Sequence, residues 1–82
     1  MHESGVIEDL MKAVESAARA NNAQKVTSIK LTIGALAGIE PDHLRDHFAI
    51  AAVGTIAEGA ELHIETTEEP SGILLQSLDL ET

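Results

Sequence analysis

Cysteine, tryptophan and tyrosine are absent from this chain of 82 residues, and Phe48 is its one aromatic side chain. Without cysteine there is no disulfide framework and no thiolate site for zinc or an iron–sulfur cluster. Basic residues are scarce: 5 Lys and Arg stand against 14 Asp and Glu, a formal charge of −9. A nucleic-acid partner requires a basic face for its phosphates, and an anionic membrane surface requires the same, so both are excluded as partners. No apolar run approaches the ~20 residues of a membrane span. Met1-His2-Glu3-Ser4-Gly5 lacks the basic and apolar segments of a signal peptide, so the expected location is the cytoplasm. With 44% apolar residues the chain has enough hydrophobic surface to fold. One small domain with an aliphatic core follows.

From Gly5 to Ala20, Val6, Leu10, Met11, Val14, Ala17 and Ala18 recur at three- and four-residue spacing, the stripe of an amphipathic helix. Ser4 is its expected N-cap, and Asn21-Asn22 suit the left-handed turn that ends it. Lys25 to Ile33 alternates, which predicts a strand with Thr27, Ile29, Leu31 and Ile33 on the buried face. In the loop that follows, Leu36 and Ile39 are expected to tuck against the core. Pro41 suits the first position of a second helix, Pro41 to Val53, with Glu40 at its cap and Leu44, Phe48, Ala51 and Ala52 on its apolar stripe.

A strand from Ala60 to Thr66 buries Leu62 and Ile64, and Ile73 to Glu81 forms the last strand. In that last strand Leu74, Gln76, Leu78 and Leu80 alternate against Ile73, Leu75, Ser77 and Asp79. The expected class is α+β in two layers, with two helices packed on one face of a three-stranded sheet. The six-residue connector Thr67–Gly72 has hairpin length, so the last two strands are expected to pair antiparallel.

Chemistry is confined to histidines and carboxylates, because no phosphate loop, nucleophile motif or Cys–His arrangement occurs. His43 and His47 are four residues apart on the second helix, a spacing that suits a metal. Without a third ligand, the favoured reading is an ordinary polar helix face. His63, between Glu61 and Glu65, reads as part of a solvated strand face, and an acid–base role for it has no supporting nucleophile or cofactor motif. His2 differs in its position. The Met1 amine, the backbone amide and the imidazole form a nitrogen-rich planar set that suits Ni(II) or Cu(II). Glu3 adds an amide nitrogen or a carboxylate that orients the ring. A three-residue start is weak when taken alone.

Met1-His2-Glu3 is followed by the helix ending at Asn21-Asn22 and by Ala23-Gln24-Lys25-Val26-Thr27. Ile33-Gly34-Ala35-Leu36-Ala37-Gly38-Ile39-Glu40 and Gly54-Thr55-Ile56-Ala57-Glu58-Gly59-Ala60-Glu61-Leu62 come next, and Leu75 to Glu81 closes the chain. In this order the segments resemble the HypA/HybF family, the nickel-incorporation proteins of [NiFe]-hydrogenase maturation. The resemblance covers Met1 to Glu65 and resumes at the closing strand.

Family members carry a zinc ribbon with two CxxC pairs between their last two strands. Here residues 67–72 stand in its place, so the resemblance implies a nickel-binding domain over residues 1–82 with no zinc. Loss in nature and deliberate excision joined at Pro70-Ser71-Gly72 both stay open. The resemblance further implies Ni(II) bound by Met1, His2 and Glu3, with Glu40 in support. It implies no catalysis, and transfer in partnership with the maturation GTPase HypB to the hydrogenase large subunit, or in service of urease. A homodimer, including a domain-swapped one, is compatible with the altered sheet end. A metal-free module that docks on the GTPase is the alternative.

Overall fold

A computed structural model of the chain describes residues 3–68 and 72–82. The elements run α1 (Glu3–Ala20), β1 (Lys25–Gly34), α2 (Pro41–Ala51), β2 (Glu61–Thr67) and β3 (Ile73–Glu81). The α+β class is as expected. Val6, Ile7, Leu10, Val14 and Ala18 form the buried stripe of α1, and Leu44, Phe48 and Ala52 that of the second helix. Both stripes close over the inner face of one sheet, where Val26, Ile29 and Leu31 are fully buried. Among the described residues no helix is long and apolar enough to cross a membrane.

Helix α1 begins two residues earlier than its periodicity predicts, so Ser4 lies inside the helix instead of capping it. Its end is as predicted. Asn22 has φ 54°, Asn22 N–H donates to Arg19 O and Ala23 N–H to Ala18 O, the paired bonds of a Schellman stop. Helix α2 ends at Ala51, two residues short of Val53. There Gly54, at φ 81°, turns the chain, and its N–H donates to Glu58 Oε1 at 2.7 Å.

Strand order is β2-β1-β3, with β1 parallel to β2 and antiparallel to β3. The expected pairing of the last two strands is therefore wrong. Each pairs with β1, on opposite edges of it. Two strand spacings amount to about 10 Å, a distance that six residues of chain can span. Burial explains the order: β1 has the most completely buried apolar face, and a central strand is covered on both edges.

The predicted faces of β1 and β3 also need correction. Pairing shifts between Val26 and Ser28, and again between Lys30 and Leu31. The first shift leaves Thr27 as an extra residue and the second leaves Gln76 as one, a bulge in each strand. Thr27 is consequently exposed and Val26 buried, while Ile73, Leu75, Leu78 and Leu80 share the inner face of β3. Side chains stabilise both irregularities. Thr27 Oγ1 donates to Asp79 O at 3.1 Å, Ser28 Oγ bonds the Asp79 carboxylate, and Gln76 Nε2 donates to Thr32 Oγ1.

Phe48 is 2% exposed and is the largest side chain in the core. Phe48→Ala is expected to cost about 3–5 kcal/mol, a large fraction of the roughly 4–12 kcal/mol typical of a domain this size. Urea unfolding followed by far-UV circular dichroism should show a markedly lower midpoint or no folded baseline.

Candidate functional site

The short link at residues 21–24 returns the chain from α1 into β1, so α1 runs antiparallel to β1. The loop at 35–40 leaves the C-terminal end of β1 and enters α2. Both helices therefore begin at the same end of the domain. The exit of β2 and the entry of β3 lie there as well: Ala35 N–H donates to Thr67 O at 3.0 Å and Gly34 N–H to Gly72 O at 2.9 Å.

Of the sequence-derived ligand set, Met1 and His2 lie outside the described residues, and Glu3 is the first residue of α1. Pro70 and Ser71 of the connector also lie outside them. Glu40 stands at the same end and is the N-cap of α2, with φ −90° and ψ 120°. Its Oε1 accepts from Asp42 N–H at 3.4 Å, and its Oε2 lies 3.5 Å from His43 Nε2. Arg45 anchors the first turns of α2. Its Nη1 is 2.7 Å from Asp42 Oδ1, and its Nε donates to Leu62 O of β2 at 3.3 Å.

Another histidine identified in the sequence, His63, faces outward on β2 and lies 3.3 Å from Glu61 Oε2. Beside it Lys30 Nζ pairs with Glu65 Oε1 at 3.2 Å, so the acidic residues of this strand are partly neutralised on the open sheet face. Among the described residues, no three His, Cys, Asp or Glu side chains come together as a metal site. None of their polar or charged side chains is buried.

A groove of about 450 Å³ opens at the same end, lined by Val6 and Leu10 of α1, Leu36 and Ile39 of the loop, and Ile73 and Leu75 of β3, with Asp9 beside it. Leu36 does not tuck inward as expected. It is 79% exposed, because the turn closed by Ala37 N–H and Gly34 O directs Ala37 and Ile39 to the core and leaves Leu36 outside. An apolar side chain in a glycine-bracketed loop was the available signal. Its use as a groove wall depends on where β3 begins.

The family model described as "Hydrogenase/urease nickel incorporation, metallochaperone, hypA" matches residues 1–71. Hydrogenase maturation factor HypA of Chlorobium limicola is 49% identical over 65 residues, covering 79% of this chain and 56% of that protein. The factor of the same name from Xanthobacter autotrophicus is 50% identical over 62 residues, covering 76% and 55% respectively. The chain thus spans a little over half the length of these curated relatives. The solution structure of the Ni metallochaperone HypA from Helicobacter pylori superposes with a TM-score of 0.86 at 16% identity, over 99% of this chain and 98% of that one. At that identity the likeness is one of fold.

Arg45→Met keeps the length of the side chain and removes its donors. It should loosen the start of α2 from β2 at a cost below about 1 kcal/mol, because the bond to Asp42 is solvent-exposed. Amide exchange in the first turns of α2 should accelerate while the core of β1 stays protected.

Proposed function

The chain belongs to the HypA family of nickel-incorporation metallochaperones, and we propose that it carries Ni(II) at its N-terminus for the maturation of [NiFe]-hydrogenase. The observation that carries this reading is the family match over residues 1–71, which includes Met1-His2-Glu3. In the proposed complex the His2 imidazole, the Met1 amine and deprotonated backbone amides bind the ion. Such a nitrogen set favours the tetragonal geometry of Ni(II). Glu3 completes or orients it, and Glu40 supports it from the cap of α2, at the end of the fold where α1 starts. Nickel is cargo here: it is bound and released, and no bond of a substrate is made or broken.

In the same proposal residues 1–82 form the nickel-binding half of the two-part family architecture, with the connector at 67–72 replacing the zinc ribbon and no zinc bound. The partners are a HypB-type maturation GTPase and the hydrogenase large subunit, with urease as a second destination, and the compartment is the cytoplasm. β2 and β3 each have only β1 as a strand neighbour among the described residues, so a homodimer formed along a sheet edge fits the same reading.

The groove beside α1 favours a second reading, a metal-free module that docks on the GTPase. Capture of the GTPase in chelator separates the two. Full binding that is indifferent to His2→Ala supports the module.

Calorimetric titration of the untagged chain with Ni(II) should show tight binding that is lost in His2→Ala and in a chain extended at its N-terminus. Equal affinity in all three overturns the N-terminal site. An imidazole must be neutral to coordinate and ordinarily titrates near pH 6.5, so nickel affinity should fall as pH drops below about 6.

A further inference from the structure

Helix α2 carries two imidazoles that the N-terminal site does not use. His43 and His47 are one turn apart and both exposed. Their neighbours Leu44 and Phe48 are 0% and 2% exposed, so the core holds the helix in one rotation and keeps the histidines turned outward. Side chains at this spacing have Cβ atoms about 5–6 Å apart, close enough for two ring nitrogens to reach one ion at roughly 2 Å. Glu40 Oε2, 3.5 Å from His43 Nε2, provides a carboxylate that orients a ligating ring. The cation within this turn is held aside, since Arg45 is bonded to Asp42 and to Leu62 O. His47 has a contact of its own, which coordination would exchange for a metal bond.

We propose that His43 and His47 form a second Ni(II) site on α2, weaker than the N-terminal one and completed by water. The proposal rests on nickel being the cargo of this chain. No third protein ligand joins the pair among the described residues, so the site is open, and its binding is weak and quickly reversible. Imidazole donors select nickel, copper or zinc over magnesium or calcium. The pair occupies the first turns of α2, at the end of the domain where α1 also begins.

Proton NMR of the imidazole resonances during Ni(II) titration tests the site, with His2→Ala removing the N-terminal one. In that variant paramagnetic broadening should reach His43 and His47 before His63, and calorimetry should retain only a weak phase. Replacing either one alone, His43→Gln or His47→Gln, should relieve the broadening of the imidazole that remains, and replacing both should abolish the weak phase, with an unchanged circular dichroism spectrum. Broadening of His63 together with the α2 pair overturns the proposal, as does a weak phase that survives the double replacement. Failure of the N-terminal reading looks different: the tight phase persists in His2→Ala whatever happens to the weak one.

Discussion

Every other element is positioned against strand β1. Among the described residues it is the one strand paired on both edges, and its inner face meets both helices through Val26, Ile29, Leu31 and Ile33. A chain with one aromatic residue must close its core around Phe48 with aliphatic side chains packed at high density. In 82 residues there is room for one such layer. The bulges at Thr27 and Gln76 follow from this requirement. Each shifts the phase of its strand by one residue, so that apolar side chains which strict alternation would expose turn inward.

That central strand also gives the domain its polarity. Because β1 is antiparallel to α1 and is followed by α2, both helices start at its C-terminal end, together with the exit of β2 and the entry of β3. The N-cap Glu40, the first residue of α1 and the apolar groove therefore share one end of the molecule. The opposite end is occupied by turns, with Ile56 O accepting from Val26 N–H to close the sheet at the start of β1.

The helices were legible because their stripes extend over several turns and their stop signals, Asn22 and Gly54, adopt the positive φ that sequence chemistry favours there. The bulges were legible in principle: Val26 to Ile29 and Leu75 to Leu78 are steps of three within strands of period two. Assuming strict alternation hid them. Strand pairing was less accessible. A connector of hairpin length permits either neighbour, and only the relative burial of the strands puts β1 between the other two.

Sequence alone determined the class of the domain, the presence and apolar stripes of its helices and, through the ordered segments from Met1 to Glu65, its family. It also supplied the candidate ligand types, because donor identity is a property of residues and their spacing. Tertiary structure decided which residues are neighbours. It placed Glu40 against His43, joined α2 to β2 through Arg45, and built a groove from three segments far apart in the chain. The physical reason is that periodicity reports only which face of an element avoids water. Which face then covers it depends on the burial of all the elements together.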